Sequence, residues 1–125
     1  MREVLLVGSG GFIGSVLRYY VGGWVQRAFA TGVFPLGTLA VNVLGCLAIG
    51  LLAGLAESRD VLSAEARLFV FIGVLGGFTT FSSFGYETLA LARDGQLAAA
   101  FGNVALQLVL GLVAVYVGLV CSRFV

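Results

Sequence analysis

The sequence contains no histidine and no lysine, and its 125 residues include only one proline and two cysteines. Charged residues make up 10% of the chain and hydrophobic residues 60%, and the mean hydropathy is +1.09. Such a composition is foreign to soluble domains and predicts an integral membrane protein. The length fits one compact domain, which we expect to comprise residues 1–125.

The scarcity of ionisable side chains argues against two function classes. Without histidine, and with no cysteine or carboxylate clustered beside a base, we expect no enzyme active site. The seven arginines are dispersed and nearly balanced by six acidic residues, which argues against nucleic-acid binding. Cys46 and Cys121 are far apart, and we interpret them as packing residues rather than a disulfide or metal pair.

Charged residues divide the chain into four apolar segments. A helix rises about 1.5 Å per residue and needs roughly 20 residues to cross the hydrocarbon core. The pattern therefore predicts an all-α integral membrane protein with four transmembrane helices, at about residues 4–26, 36–56, 64–91 and 96–121. Because Arg18 interrupts the end of the first run and no convincing cleavage site accompanies it, we interpret that run as a mature helix rather than a signal peptide.

The third segment contains an unusual stretch from Gly73 to Gly85. Four glycines, four hydroxyl side chains and three phenylalanines occupy it. Glycine costs a helix about 1 kcal/mol relative to alanine, and hydroxyl groups compete for backbone hydrogen bonds, so we expect the third helix to be broken near residues 76–83. Irregular backbone in a bilayer survives only where it is buried in protein or lines a wet cavity. This stretch is therefore the candidate site.

The arginines are almost evenly divided between the two sides of a four-span protein. One side receives Arg2, Arg59, Arg67 and Arg123, and the other receives Arg27 and Arg93, with Arg18 added if it snorkels that way. The difference in arginine number between the two sides is too small for the positive-inside rule to favour one orientation clearly. The pattern favours insertion in both orientations and an antiparallel, dual-topology homodimer, with a weakly biased single orientation as the alternative.

The first segment imitates a dinucleotide-binding fingerprint in its glycine spacing. The third glycine, Gly14, comes one position late, and no acidic residue between Glu3 and Glu57 is present to bind a ribose hydroxyl. Gly10 and Gly14 are four residues apart instead, which predicts a small-residue face that lets another backbone approach closely.

Several polar side chains fall inside the apolar segments. Thr38 and Asn42 are four residues apart and share one face of the second helix, as Asn103 and Gln107 do on the fourth. An amide in hydrocarbon must find a partner or water, so Asn42 either joins two helices or faces a polar path.

Two charged side chains each have two interpretations. Arg18 either snorkels to the far membrane surface or attracts anions at a pore vestibule. Glu87 marks either the membrane edge or a protonatable or gating group that faces water.

The chemistry of the predicted break favours a permeation pathway. The edges of Phe81 and Phe84 carry partial positive charge, and hydroxyl donors surround them. The hydroxyls belong to Thr79, Thr80, Ser82 and Ser83. Such donors, with no buried cation to trap the ion, suit a small and strongly hydrogen-bonding anion, whereas carbonyls of an unwound turn can coordinate a cation. A kinked packing helix with a phenylalanine stripe is the alternative.

Three motifs follow one another along the chain. They are Gly10-Gly11-x-x-Gly14-x-x-x-Arg18-Tyr19, Gly37-Thr38-Leu39-x-Val41-Asn42-x-x-Gly45 and Gly76-Gly77-Phe78-Thr79-Thr80-Phe81-Ser82-Ser83-Phe84-x-x-Glu87. Together they resemble the Fluc (CrcB) fluoride channel family over essentially the whole chain. The resemblance implies a fluoride-selective channel of the inner (plasma) membrane that exports cytoplasmic fluoride passively. It also implies an antiparallel homodimer with two fluoride pathways along the subunit interface.

The same resemblance assigns roles to individual residues. Phe81 and Phe84 would supply ring edges to fluoride, and Asn42 would be a pore-lining donor. Thr38 and Ser82 or Ser83 would be part of a polar track. Arg18 and Glu87 would lie near the pathway ends or its gating region. A structural sodium ion at the dimer centre would be held by main-chain oxygens of Gly77 and Thr80. Where family members often have a serine and a nearby tyrosine on the fourth helix, this chain has Gln107 and Asn103, so the contribution of that helix is open.

Two other functions remain as alternatives. A small proton-coupled multidrug exporter has a similar size, but it requires an acidic residue deep in its first helix, and residues 4–26 contain none. A non-conducting membrane assembly protein is opposed mainly by the hydroxyl-rich stretch in the third segment.

Overall fold

The computed structural model describes residues 1–30, 32–59 and 62–124, with the backbone alone at 58 and 59. The side chain of Arg59, which enters the arginine distribution above, is therefore outside the described residues. The helical elements are α1 (Arg2–Phe29), α2 (Leu36–Arg59), α3 (Ala64–Arg67), a π-helical segment (Leu68–Leu75), α4 (Gly76–Phe78), α5 (Phe81–Arg93) and α6 (Leu97–Cys121). Over these ranges the chain forms helices and no strands.

Four helical stretches are long and apolar enough to cross a membrane. Within the described part of the chain they are Arg2–Phe29, Leu36–Glu57, Ala64–Arg93 and Leu97–Cys121. The prediction of an all-α protein with four spans is confirmed. The first helix extends beyond residues 4–26 at both ends, because apolar composition indicates only the part of a helix that crosses the hydrocarbon core.

The third span, Ala64–Arg93, departs from α-helical geometry twice. Ser63 caps its first turn, since the Ser63 side chain accepts a hydrogen bond of 3.2 Å from the N–H of Ala66. The π-helical segment and α4 follow. Thr79 (φ −82°, ψ 160°) and Thr80 (φ −152°, ψ 115°) are then extended, and α5 begins at the next residue. Two extended residues therefore separate the two parts of this span.

Helix α1 packs against the first part of the third span through glycines. Gly10 and Gly14 are buried, and a Cβ atom added at Gly10 would lie 2.5 Å from the carbonyl oxygen of Phe69 and 2.9 Å from Cα of Gly73. Such distances are possible only when both backbones come together without an intervening side chain. The predicted small-residue face is confirmed, and its partner is the third span.

The N-terminus of α2 is tied to α1 by a glutamine. The Gln26 side chain accepts a hydrogen bond of 2.9 Å from the N–H of Gly37 and donates one of 3.1 Å to the carbonyl oxygen of Phe34. The first backbone N–H groups of a helix have no partner within it, so Gln26 satisfies one of them from another helix. This contact positions the first turn of α2, which carries Thr38.

The close approach at Gly14 is a direct test of this packing. A Cβ there would overlap the carbonyl oxygen of Val74 and lie 2.8 Å from N of Phe78, so we expect Gly14→Ala to lower the free energy of unfolding by about 1–3 kcal/mol. Gly8→Ala is the matched control, because a Cβ at Gly8 meets no atom within 4 Å. The measurement is the unfolding midpoint in an SDS titration. Equal midpoints for the two variants would contradict the proposed contact.

Candidate functional site

Two cavities border the extended residues of the third span. The first has a volume of about 370 Å³ and is bordered by α2, the third span and α6, and the second has a volume of about 450 Å³ and is bordered by α1, α2 and α5. Thr80 lines both. The first also contains the predicted site residues Asn42, Thr79, Phe81, Phe84 and Gln107, and the second contains Arg18, Thr38, Ser83 and Glu87. Ser82 and Gly77 line neither cavity.

The Asn42 side chain binds the extended backbone through both ends of its amide. Its Oδ1 accepts a hydrogen bond of 2.8 Å from the N–H of Thr80, and its Nδ2 donates one of 3.0 Å to the carbonyl oxygen of the same residue. Nδ2 also donates to Oε1 of Gln107 at 3.0 Å. Asn42 therefore joins α2 to the third span and to α6. It supplies the hydrogen bonds that the helical backbone does not make at Thr80.

The Thr80 side chain caps α5. Its hydroxyl accepts a hydrogen bond of 3.2 Å from the N–H of Ser83 and lies within 3.2 Å of the hydroxyls of Ser82 and Ser83. The Thr79 hydroxyl instead donates to the carbonyl oxygen of Leu75 at 3.0 Å. Three hydroxyl groups therefore cluster at the start of α5, whereas the Thr79 hydroxyl is directed back to the preceding helical segment.

Phe81 and Phe84 stand next to each other on the first turn of α5. Their ring centroids are 5.3 Å apart, with an angle of 63° between the ring planes. Phe84 is half-buried, whereas Phe81 is 82% exposed. Because the two rings are tilted relative to each other, the edge of one is directed towards the other, and both border the first cavity.

The second cavity carries the charged groups that the sequence placed near the pathway ends. Arg18 donates a hydrogen bond of 3.2 Å to the carbonyl oxygen of Thr79, so its guanidinium group reaches the interrupted backbone. Glu87 accepts a hydrogen bond of 2.7 Å from the hydroxyl of Thr38. Its other oxygen, Oε2, is enclosed and has no hydrogen-bond partner among the described residues. Both side chains are half-buried and make hydrogen bonds to other helical elements.

The polar face of α6 contacts two different helices. Gln107 reaches Asn42 on α2, as described above, whereas Asn103 is fully buried and donates a hydrogen bond of 2.8 Å to the hydroxyl of Thr88 on α5. Thr88 in turn donates to the carbonyl oxygen of Phe84 at 2.7 Å. The sequence analysis did not select Thr88. Its position four residues after Phe84 is the signal that could have found it.

A bound cation would have to rely mainly on main-chain oxygens. The described residues contain no cluster of three or more cysteine or acidic side chains that could hold a metal ion. Because α4 ends at Phe78, the carbonyl of Gly77 is among those that have no partner within the helix. The carbonyl of Thr80 accepts one hydrogen bond and retains a second lone pair. Both groups therefore have the chemistry to coordinate a hard cation such as sodium.

The fold and the site define a small multi-pass membrane protein in which amide, hydroxyl and phenylalanine groups meet around an extended backbone. The family described as CrcB-like protein, Camphor Resistance (CrcB), matches residues 5–119. The chain belongs to this family, and the recognised resemblance is confirmed. Together with the four apolar spans, this membership makes it a multi-pass protein of the cell membrane.

Curated relatives match most of the chain. The fluoride-specific ion channel FluC of Nitratidesulfovibrio vulgaris is 46% identical over 125 residues, which is 100% of each protein. The FluC protein of Methylobacillus flagellatus is 46% identical over 118 residues, covering 94% of this chain and 92% of that protein. FluC 3 of Methanosarcina barkeri is 44% identical over 118 residues, covering 94% of this chain and 88% of that protein.

The cap at Thr80 yields a testable prediction. Thr80→Val removes the oxygen that accepts from Ser83, so we expect the free energy of unfolding to fall by about 1 kcal/mol. Thr80→Ser keeps that oxygen and is the matched control. Hydrogen exchange of the Ser83 amide should be faster in the valine variant than in the serine variant. Identical exchange rates would show that the hydroxyl does not cap α5.

Proposed function

We propose that the protein is a fluoride-selective channel that lets cytoplasmic fluoride leave the cell passively and so reduces its toxicity. The observation that carries the proposal is the lining of the first cavity. Three phenylalanine rings, two side-chain amides and two threonines border it, and no charged side chain among the described residues does so. The relatives that match this chain over most of its length are named fluoride-specific ion channels.

The chemistry of this lining suits fluoride. A small anion holds its water strongly, so a selective path must replace that water with N–H, O–H and ring-edge contacts. A fixed positive charge in the same place would bind the ion too tightly for release. The first cavity offers the replacement contacts without the charge. An enzyme mechanism has no support in this arrangement, and a proton-coupled exporter would require an acidic group inside α1, whose acidic residue is Glu3 in the first turn.

The second cavity provides an approach to this site. Arg18 gives it a positive charge, while the hydroxyls of Thr38 and Ser83 give it polar contacts. Because Thr80 borders both cavities, we propose that the path between them passes the hydroxyls at the start of α5. We assign Arg18 and Glu87 to the approach, and Phe81, Phe84 and the amides to the selective part of the path.

The extended backbone is part of the function we propose. A break in a membrane helix leaves backbone groups that must be satisfied by protein, water or an ion. Here Asn42 and Arg18 satisfy groups of Thr79 and Thr80, and the restart of the helix at Phe81 places the rings beside the first cavity. We therefore interpret these two residues as the break of the third helix.

A second copy of the chain would complete the site. Phe81 is 82% exposed, and the polar Ser82 beside it is also exposed, although both lie within a membrane span. A partner subunit would cover them, and the even division of the arginines favours a partner in the opposite orientation. We propose an antiparallel, dual-topology homodimer with the ion pathways along its interface.

We further propose that sodium stabilises this dimer as a structural ion. The carbonyl oxygens of Gly77 and Thr80 are suitable ligands, and in this proposal each chain contributes these two oxygens to the sodium site. The same two oxygens from a partner in the opposite orientation would complete a four-oxygen site at the dimer centre. Such an ion would coordinate carbonyl oxygens that the break leaves without partners in the helix.

Ion efflux from liposomes tests the channel. With the purified protein reconstituted and valinomycin present to prevent a build-up of voltage, we expect rapid loss of internal fluoride and retention of chloride, each followed with an ion-selective electrode. Retention of both ions by protein shown to be reconstituted would refute the proposed function.

The efflux experiment also tests whether the ring edges of Phe81 and Phe84 contact the moving ion. Phe81→Ile and Phe84→Ile remove the polarised edges, so each should slow fluoride efflux by at least about tenfold, which corresponds to about 1.4 kcal/mol of lost stabilisation of the moving ion. Phe101→Ile is the matched control, because Phe101 lies on α6 and borders neither cavity. Wild-type rates in both test variants would remove the rings from the mechanism.

Sodium removal tests the structural ion. When the protein is extracted and purified with lithium or an organic cation in place of sodium at equal ionic strength, we expect the dimer fraction on size exclusion to fall, because a ligand that binds only the dimer stabilises it by mass action. Readdition of sodium should restore the dimer. Dimer fraction and fluoride efflux that are both indifferent to sodium from extraction onward would contradict the proposal.

A further inference from the structure

Two consecutive hydrogen bonds join the second turn of α6 to the backbone of Phe84. The amide nitrogen Nδ2 of Asn103 donates to the hydroxyl of Thr88 at 2.8 Å, and that hydroxyl donates to the carbonyl oxygen of Phe84 at 2.7 Å. Asn103 lies on α6, and the other two residues lie on α5. Neither Asn103 nor Thr88 borders the first or the second cavity, whereas Phe84 borders the first. The two bonds therefore connect a cavity-lining residue to groups outside both cavities.

The Phe84 carbonyl fixes the direction of both bonds. A carbonyl oxygen has no hydrogen, so its distance of 2.7 Å to the Thr88 hydroxyl oxygen requires the proton of that hydroxyl. A hydroxyl has only one proton, so Thr88 can only accept from Asn103, and the amide must present its NH₂ group. The amide oxygen Oδ1 of Asn103 is enclosed and has no hydrogen-bond partner among the described residues.

The buried amide is unfavourable for stability alone. Asn103 is fully buried, and an enclosed acceptor without a partner costs free energy of folding. When both members of a buried polar pair are replaced by apolar side chains of the same shape, the change is often neutral or stabilising. Packing alone would therefore favour leucine at position 103 together with valine at position 88. Residues that break such a rule are expected where function requires a defined position.

The Thr88 hydroxyl acts on the turn of α5 that carries Phe84. In an α-helix the N–H of residue 88 donates to the carbonyl of residue 84. A hydroxyl that donates to the same carbonyl bends the helix locally. Asn103 holds this hydroxyl from a neighbouring helix, so the direction of the first turn of α5 is tied to α6.

We propose that Asn103 and Thr88 are positioning residues that set the orientation of the Phe84 ring at the first cavity. Neither side chain touches the ion. The proposal rests on the proposed function, because the ring edge meets an anion only if the protein conducts one. It assigns the polar side chain at position 103, whose contribution the sequence leaves open, to the support of α5 rather than to the lining of the path.

Apolar substitutions of the same shape separate positioning from stability. Asn103→Leu and Thr88→Val each interrupt the two bonds, and we expect each to slow fluoride efflux by about tenfold. The double variant removes the buried polar groups together, so its unfolding midpoint in SDS should equal or exceed that of the wild type. Because both side chains act on the same ring, the double variant should be no slower than the slower single variant. Thr88→Ser keeps the hydroxyl and should conduct at the wild-type rate.

Ser122→Ala is the matched control. The Ser122 hydroxyl is also buried and also donates to an earlier carbonyl oxygen, that of Leu119 at 2.7 Å. Ser122 borders neither cavity, so its alanine variant should conduct at the wild-type rate. Efflux slowed as much as in Thr88→Val would show that the loss of any buried hydroxyl has this effect, which overturns the positioning role.

Ring NMR reports the position of Phe84 without depending on flux. In protein with ¹³C-labelled phenylalanine rings, the Phe84 signal is the one that Phe84→Ile removes. Fluoride, but not chloride, should shift this signal in the wild type and in Thr88→Ser. In Asn103→Leu the signal itself should move and its response to fluoride should be lost. The exposed ring of Phe12 on α1 should keep its signal throughout.

The combined results separate the positioning role from the channel itself. Slow efflux at an unchanged or raised unfolding midpoint, with no fluoride response at Phe84, supports the role. Single variants within about twofold of the wild-type rate, or efflux that falls only in step with the midpoint, overturn it and leave the channel standing. A wild type that does not conduct fluoride refutes the proposed function, and the Phe84 signal in Asn103→Leu still decides whether α6 positions the ring. If Asn103→Leu does not fold, Thr88→Val and Thr88→Ser decide.

Discussion

The pair of hydrogen bonds between the Thr80 backbone and the Asn42 side chain is the constraint on which the rest of the structure depends. Extended backbone inside a bilayer has no water to satisfy it, and each unsatisfied group costs several kcal/mol. The Asn42 amide satisfies the N–H and the carbonyl of Thr80 together, at 2.8 and 3.0 Å. Because the backbone can be extended there, α5 restarts at Phe81 and presents two rings beside the first cavity.

Most of the fold was predictable because hydropathy and small-residue spacing are local properties of a membrane helix. The four spans follow from the apolar runs, and the spacing of Gly10 and Gly14 predicted a face for close packing. The geometry of the third span was less accessible. The π-helical segment Leu68–Leu75 is an ordinary apolar run in the sequence, and the extended backbone is confined to Thr79 and Thr80 within the wider stretch 76–83, because α5 is restored as soon as the Thr80 hydroxyl caps it.

The candidate site was predictable by residue type but not by partner. An amide in hydrocarbon requires a partner, so Asn42 was a natural candidate, yet the distance to Thr80 depends on how α2 meets the third span. The two interpretations of Arg18 could not be separated from sequence, since both place the arginine towards one membrane surface, whereas its hydrogen bond to the Thr79 carbonyl depends on tertiary packing. Gln26 was missed for the same reason. A polar residue before a turn is typical of a membrane edge, and its bond to Gly37 appears only when α1 and α2 pack.

In the pathway we propose, the division of charge between the two cavities lets attraction and release coexist. Arg18 borders the second cavity, where a positive charge raises the local concentration of anions. No charged group among the described residues borders the first, so under the proposed function dipoles and ring edges would replace lost water there without adding a full charge. Thr80 borders both cavities. On the pathway we propose, the residue whose backbone is bound by Asn42 would therefore also be the point where an ion passes from attraction by charge to recognition by hydrogen bonds.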